Sequence, residues 1–383
     1  MRVEPVEDHF QRIPYRPAVD GKVEIHSGLS RHYPTLHGNL VLPERYSART
    51  AVLMAHPASN FLSHFLLRAF ASAGIPIMGM NTRYAANEAA LLMERAAEDL
   101  GAGVRWLRET HGFERVVLLG FSGGGPLMSF YQSQAESPTI TATPSGDPVD
   151  LGDLIPADGL MLVGAHPGRA RVLRNWIDPA VVDENDPYRT DPALDLYAPD
   201  RELPLADEWV AEYRDAQLRR IRRIDAFAQD QLTRSADRPG ADRAFVVHRT
   251  VADPRFVDIT IDPSDREPGS LYGDPEAANW AAGGLARFVT ARSWLSTWSE
   301  DHTNAAAPTD LGTVTTPTVV MALCGDQAAF VSESREMFAA SADPHGELIE
   351  MPLLTHYLVD QPDGVANIID RLRSWLVRRR LTD

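Results

Sequence analysis

Short apolar runs alternate with segments of helical spacing over the first part of the chain, from His37 to Arg169. The runs predict strands at Gly38–Pro43, Ala51–His56, Ile75–Asn81, Arg115–Gly120 and Asp158–His166. Helices are predicted between them at Phe61–Gly74 and Asn87–Thr110, the second with Asn87 as its N-cap. Continuously apolar strands separated by helices indicate a mostly parallel, doubly wound sheet covered on both faces, which is an α/β fold.

This pattern breaks between Arg171 and Leu311, where Pro, Asp and Arg are frequent. From Thr316 the earlier pattern resumes, with strands predicted at Pro317–Gly325 and Gly346–Leu354 and helices at Glu333–Asp343 and Val365–Arg379. We therefore predict a first core part (1–170), a mainly helical cap inserted between core strands (171–311) and a second core part (312–383). Within the insertion, Asp207–Leu232 is predicted to be a charged helix.

Composition narrows the classes of partner and compartment. A net charge of −16 over 383 residues argues against binding to nucleic acid or to an anionic membrane surface. The single cysteine, Cys324, excludes an internal disulfide and fits a cytoplasmic protein. The first residues lack the apolar segment of a secretion signal, and no apolar run is long enough to span a membrane. A monomer and a homo-oligomer are both compatible with this composition.

The stretch LLGFSGGGP contains Gly-x-Ser-x-Gly, with Ser122 between Gly120 and Gly124. It follows a predicted strand and opens a predicted helix, the context in which this motif forms a nucleophile elbow. A turn this tight strains the serine backbone and leaves no room for neighbouring side chains, which explains the glycines. The alternative, a phosphate-binding loop, requires a longer glycine spacing and a lysine or ribose-binding acid, which are absent.

The order of strand, elbow, helix, strand, insertion, strand with Asp and strand with His resembles the α/β-hydrolase fold superfamily. The resemblance covers Val23–Arg169 and Thr316–Leu381. Within the insertion, DENDPYRTDPALDLY and RFVDITIDPSDR are similar to a group of uncharacterised bacterial α/β-hydrolases, and this likeness implies no substrate.

A serine hydroxyl needs a base, and the base needs an orienting acid. The resemblance implies the order Ser, acid, His, so we predict His356, after the last strand, as the base. Asp326 is the only carboxylate in the turn after the preceding strand, and we predict it as the acid. Asp360 and Asp363 are the alternatives and are expected to be exposed loop or cap residues.

The resemblance also implies two oxyanion-hole donors. One is the backbone N–H of Gly123, and the other comes from the loop after the Ala51–His56 strand. Pro57 has no N–H, so Ala58 is the predicted donor and Ser59 the alternative. His56 is expected to anchor this loop rather than to act as a second base.

Together these residues predict a serine hydrolase that cleaves a carboxylic ester or lactone of a mid-sized organic substrate without cofactor or metal. The same triad serves C–C bond hydrolysis, lyase, amidase and acyl-transfer chemistry, and a non-catalytic binding protein on this scaffold is a further alternative. We expect the insertion to roof the serine. The expected substrate contacts are Phe121, Ser59, Trp280, Trp294 and Trp298, although tryptophans at helical spacing also suit a cap core.

Two further patterns are expected to have no catalytic role. Glu94 and Glu98 lie four residues apart on the predicted Asn87–Thr110 helix and are expected to form a solvated face. The spacing of Asp258, Asp262 and Asp265 suggests calcium, but the Gly and terminal Glu of an EF-hand loop are missing, so no metal is expected.

Overall fold

The computed structural model describes residues 6–13, 36–46, 49–238 and 240–382. Its strands are β1 (Val6–Ile13), β2 (Leu36–Pro43), β3 (Thr50–His56), β4 (Ile77–Asn81), β5 (Arg115–Phe121), β6 (Gly159–Val163), β7 (Ala244–Val246), β8 (Phe288–Thr290), β9 (Thr318–Leu323) and β10 (Glu347–Met351). Its helices are α1 (Phe65–Ser72), α2 (Met93–Glu109), α3 (Gly124–Glu136), α4 (Arg169–Trp176), α5 (Asp207–Arg234), α6 (Pro275–Trp280), α7 (Ala291–Ser293), α8 (Ala307–Leu311), α9 (Val331–Ala340) and α10 (Pro362–Arg378).

Eight strands form one sheet in the order β1-β2-β4-β3-β5-β6-β9-β10. The six strands from β4 to β10 in this order run parallel, while β2 is antiparallel to both β1 and β4. The predicted α/β fold with a mostly parallel sheet is therefore confirmed. Because parallel strands end at the same edge, the loops after β3, β5, β6, β9 and β10 meet there.

Helices cover both faces of this sheet, as the apolar strands predict. Successive residues of β5 enter different cores: Leu118 packs with α2 and α3, whereas Val117 and Leu119 pack with α1 and α10. Burial on both faces requires strands without alternating polar residues, and residues 116–121 of β5 are all buried.

Two local predictions differ from the structure. Asn87 does not cap the long helix; it precedes one short 3₁₀ turn, Glu88–Ala90, and α2 begins only at Met93. Leu91 and Leu92 are extended and buried between the two, so the burial of two leucines interrupts the helix that the spacing predicts. The edge strand β1 has no counterpart in the sequence prediction, and Val23, where the family resemblance begins, lies outside the described residues.

The predicted solvated face of α2 is wrong at both positions. Glu94 is fully buried, and Glu98 lies in a buried ion-pair network with Arg83 and Arg95. Ser296 donates to one oxygen of Glu94 at 2.7 Å and Asn304 to the other at 2.8 Å, so residues of the insertion satisfy this buried group. Burial raises the pKa of Glu94.

The insertion enters the chain between β6 and β9, which are neighbours in the sheet. Its apolar core combines α4 and α5 with the single turn of π-helix Trp294–Trp298. Its last helix, α8, packs against α3 and α9, which flank the sheet. The boundaries at residues 170 and 311 stay a prediction.

Candidate functional site

The turn between β5 and α3 holds Ser122 in the backbone conformation of a nucleophile elbow. Ser122 has φ +53°, a left-handed value that costs a non-glycine residue on the order of 1–3 kcal/mol. The glycines make the turn possible, because a Cβ built on Gly120 would lie 2.6 Å from the Cα of Gly125, and one on Gly124 would lie 2.4 Å from the carbonyl oxygen of Ala55. The glycine spacing thus has the steric cause that the motif suggests.

Ser122, His356 and Asp326 come together across more than two hundred residues of chain. The Nε2 atom of His356 lies 3.1 Å from Ser122 Oγ, and its Nδ1 lies 2.6 Å from Asp326 Oδ2. Both distances are within hydrogen-bond range. Asp326 and His356 are almost fully buried, whereas Ser122 is partly exposed. The loops after β5, β9 and β10 supply the three side chains.

Asp326 is fixed by the backbone that follows it. Its Oδ1 accepts the N–H groups of Ala328 at 2.7 Å and Ala329 at 3.1 Å, which leaves Oδ2 for the imidazole. Gly325 allows the His356 loop to pass close by, because a Cβ at Gly325 would lie 2.9 Å from the carbonyl oxygen of Leu353. This close approach of the two loops gives a physical reason for the glycine directly before the acid.

The two alternative acids lie elsewhere. Asp360 is an exposed loop residue with φ +58°, and Asp363 is exposed in the first turn of α10. The hydrogen bond to His356 Nδ1 is made by Asp326.

The two predicted oxyanion donors differ in their surroundings. Gly123 is the N-cap of α3, where backbone N–H groups have no acceptor within the helix and the helix dipole favours negative charge. The N–H of Ala58 instead donates to His56 Nδ1 at 3.1 Å, and that of Ser59 donates to the same atom at 2.9 Å. The structure therefore gives both loop amides an acceptor, and His56 anchors the loop.

This anchoring also fixes the proton on His56. Burial, followed by the nearby charge of Arg169, lowers the pKa of His56 well below its usual range, so the imidazole is neutral. Since Nδ1 accepts two N–H groups, the proton sits on Nε2. Nε2 faces the elbow: a Cβ built on Gly123 would lie 2.6 Å from it.

An aromatic wall lies on another side of the elbow. The ring of Phe121 is 5.2 Å from that of His356, 5.0 Å from His64 and 5.8 Å from Phe65. His64 accepts the Leu66 N–H at 3.3 Å, and burial lowers its pKa to about 3, so it is a neutral, largely apolar element of this wall. Phe121 is itself buried and packs against the rings of His64 and His356.

Arg169 lies beside the elbow, although no pattern in the sequence identifies it. It is only 5% exposed, and its Nη1 lies 3.3 Å from the position of a Cβ on Gly123. It forms an ion pair with Glu88, and its guanidinium lies 4.4 Å from the ring centre of Trp298. The only sequence feature that points to such a residue is Gly123. A glycine directly after the nucleophile leaves space that a side chain from another segment can fill.

The three tryptophans of the insertion have different environments. Trp298 is buried and touches Arg169, so it reaches the surroundings of the elbow. Trp294 is buried, and its Nε1–H donates to Asp225 at 2.6 Å within the core of the insertion. Trp280 is 44% exposed and stacks on Tyr188 and on the guanidinium of Arg249.

Ser59, the remaining predicted substrate contact, is exposed in the loop after β3. Within the described ranges, no cluster of three or more His, Cys, Asp or Glu side chains is arranged to hold a metal ion. None of the helices described there combines the length and the apolar character that crossing a bilayer requires.

Comparison with known proteins finds likeness in structure rather than in sequence. No family model matches the sequence, and neither does any curated protein. A hypothetical protein from Pseudomonas aeruginosa is similar, with a TM-score of 0.50 at 14% identity over 96% of this chain and 94% of that one. DcsB, solved in complex with its substrate analogue, has a TM-score of 0.52 at 13% identity over 97% of this chain and all (100%) of the other.

At these identities the likeness concerns the fold. It extends over nearly the whole chain, insertion included. The sheet order, the strained serine between β5 and α3, and the loops that follow β9 and β10 agree with the pattern that the sequence resembles. The chain has the α/β-hydrolase fold.

Proposed function

We propose that the protein is a serine hydrolase that cleaves a carboxylic ester or lactone of a mid-sized organic molecule through an acyl-serine intermediate. The observation that carries the proposal is the continuous hydrogen-bonded path from Ser122 Oγ through His356 to Asp326, set at a strained elbow. A strained serine within reach of a base that is itself oriented by a buried acid is the arrangement that activates a hydroxyl.

Acylation follows from this geometry. Ser122 Oγ attacks the ester carbonyl carbon while His356 Nε2 takes the hydroxyl proton. Asp326 keeps the imidazole proton on Nδ1 and stabilises the imidazolium that forms. Collapse of the tetrahedral intermediate breaks the bond to the alcohol oxygen, which receives the proton from His356. Water then attacks the acyl-serine by the same route and releases the acid.

The oxyanion needs donors that are fixed before the reaction. We assign one to the Gly123 N–H, at the N-terminus of α3. The Ala58 amide donates to His56, so we do not assign it as the second donor. We assign the second donor to the Nε2–H of His56, which faces Gly123. Because this imidazole is neutral, it donates without competing with His356 for the serine proton.

The insertion supports a substrate of intermediate size. It supplies Trp298 next to the elbow region and a charged exterior, which favours an enclosed site over an open lipid-binding face. We propose a cytoplasmic location because a single cysteine, which allows no internal disulfide, fits a reducing compartment.

A substrate screen tests this function. p-Nitrophenyl esters of increasing acyl length are assayed beside a lactone, an anilide and a dioxo acid, with Ser122→Ala as the control. We expect turnover of esters, greatest at intermediate length, and loss of turnover in the variant. Turnover of the dioxo acid alone would replace the ester assignment with C–C hydrolysis, and ester turnover that survives in Ser122→Ala would refute the serine mechanism.

A further inference from the structure

A buried cation lies directly beside the proposed nucleophile. The Arg169 guanidinium is within van der Waals distance of the space where any residue but glycine would place a side chain after Ser122. Replacing Gly123 by a larger residue would displace Arg169 and His56 together. Because Gly123 has no side chain, the donor groups of His56 and Arg169 can lie next to the nucleophile.

The hydrogen-bonding capacity of Arg169 is only partly used. One nitrogen, Nη2, bonds to Glu88, and Trp298 covers a face of the guanidinium. Its buried Nε has no hydrogen-bond partner among the described residues. An arginine has five N–H donors, and leaving buried donors unsatisfied costs free energy. An anionic ligand would satisfy donors that the protein leaves open.

Among the described residues, the titratable neighbours of Arg169 other than Glu88 are uncharged. They therefore do not cancel the positive charge that a second anion would meet. Burial lowers the pKa values of His56 and His166, that of His166 to about 3, so both are neutral at physiological pH. Desolvation lowers the pKa of Arg169 to about 10, which still leaves it charged at pH 7. Tyr272, from the insertion, lies within electrostatic reach of Arg169 and is uncharged. Glu88, about one-third exposed, is the only carboxylate paired with Arg169 among the described residues.

We propose that Arg169 binds a carboxylate on the substrate, which makes the substrate class esters or lactones of acids that carry a second, free carboxylate. Guanidinium and carboxylate match in shape and charge, and a buried arginine loses little freedom on binding. Trp298 covers one face of the guanidinium, Glu88 pairs only with Nη2, and the His56 Nε2–H lies beside the guanidinium. The inference rests on the proposed hydrolase function and adds the charge of the substrate to it.

The test compares two esters of the same shape. Mono-p-nitrophenyl glutarate carries the free carboxylate, and p-nitrophenyl 5-methylhexanoate replaces it with an uncharged isopropyl group. The wild-type enzyme is expected to prefer the glutarate ester in kcat/KM. Arg169→Gln should lower this preference by about 10- to 100-fold, mainly through the KM of the anionic ester, as expected for the loss of a charged hydrogen bond.

Two further variants separate binding from a structural role. Arg169→Lys keeps the charge without the fork and should retain part of the preference. Glu88→Gln removes the ion-pair partner but keeps the arginine, and the preference should stay at or above that of the wild type. Equal losses on both esters in Arg169→Gln, or loss of the preference in Glu88→Gln, would assign Arg169 a structural or general role and overturn the proposal.

A binding measurement makes the inference independent of turnover. Calorimetry of glutarate with the Ser122→Ala variant should detect binding that disappears in Ser122→Ala/Arg169→Gln. If glutarate binds in this way but no ester is cleaved by the wild type, the hydrolase function fails while the anion subsite stands. If esters are cleaved without charge preference and glutarate does not bind, the subsite fails while the hydrolase function stands.

Discussion

One imidazole, His56, connects the loop after β3 to the nucleophile elbow. Its Nδ1 accepts two backbone N–H groups of its own loop, and its Nε2 faces Gly123. From the sequence, His56 is expected to anchor this loop and Ala58 to supply the oxyanion donor. A pattern of residue types cannot show in which direction a loop amide points, and here the amides turn toward the histidine side chain.

Replacement of His56 by Asn separates its two roles. An Asn side chain accepts backbone N–H groups two and three residues on, so it keeps the loop, but it is too short to donate at Gly123. We expect His56→Asn to lower kcat by about 10²- to 10³-fold, as for loss of one oxyanion donor, with little change in KM. His56→Ala should lower thermal stability as well. Unchanged kcat in a folded His56→Asn would return the second donor to the Ala58 amide.

The proposed role of Asp326 as the acid that orients His356 is tested by three parallel substitutions. Asp326→Asn keeps the shape but supports the wrong imidazole tautomer, and we expect a fall in kcat of about 10⁴-fold. The matched controls, Asp360→Asn and Asp363→Asn, change exposed carboxylates without contact to His356 and should alter kcat less than twofold, within the small range of surface substitutions. A large loss in Asp363→Asn with little in Asp326→Asn would move the acid to the start of α10.

The helices and strands that a single strong local pattern predicts lie close to their predicted positions. The apolar strand, the glycine turn and the helix at residues 115–136 appear where the motif predicts them, because local sterics dictate them. The start of α2 and the burial of Glu94 do not, because Ser296, two hundred residues away in the insertion, accepts the N–H of Met93 and donates to Glu94. Arg169 is not predicted for the same reason, because its contacts with Glu88 and Trp298 join segments far apart in the chain.

Trp298 connects the insertion to the elbow, because its ring packs on the guanidinium of Arg169, which lies beside Gly123. We expect Trp298→Leu to weaken the preference for the anionic ester, because the guanidinium of Arg169 loses the aromatic face that holds it. Trp298→Phe keeps an aromatic face and should restore most of the preference. Trp280→Ala, at an exposed position, is the matched control and should leave the preference unchanged. If Trp298→Leu lowers only the melting temperature, Trp298 serves the insertion core alone.

The whole molecule carries largely desolvated, neutral histidines whose protonation opposes folding. Burial lowers the pKa values of His64 and His166 to about 3, whereas in the unfolded chain both titrate near 6.5. The unfolded state therefore binds more protons below pH 6.5, and the stabilisation present above that pH is lost as the pH falls toward 3.

Unfolding by urea as a function of pH measures this effect. His64→Asn, which keeps an acceptor for the Leu66 N–H, and His166→Gln each remove one such titration. Relative to the wild type, the free energy of unfolding of each variant should rise as the pH falls from 6.5, by at most about 1.4 kcal/mol per pH unit. A difference between variant and wild type that is constant with pH would show that these histidines are not buried in the neutral form.

Covalent labelling tests most directly whether Ser122 is the nucleophile. A fluorophosphonate is incubated with the wild type and with Ser122→Ala, and the adduct is located by peptide mass mapping beside an ester assay. We predict one adduct at Ser122, absent in the variant, and a fall in ester turnover of about 10⁴- to 10⁶-fold in a variant with unchanged melting temperature. An adduct at another residue, or an alanine variant that keeps wild-type turnover, would contradict the account.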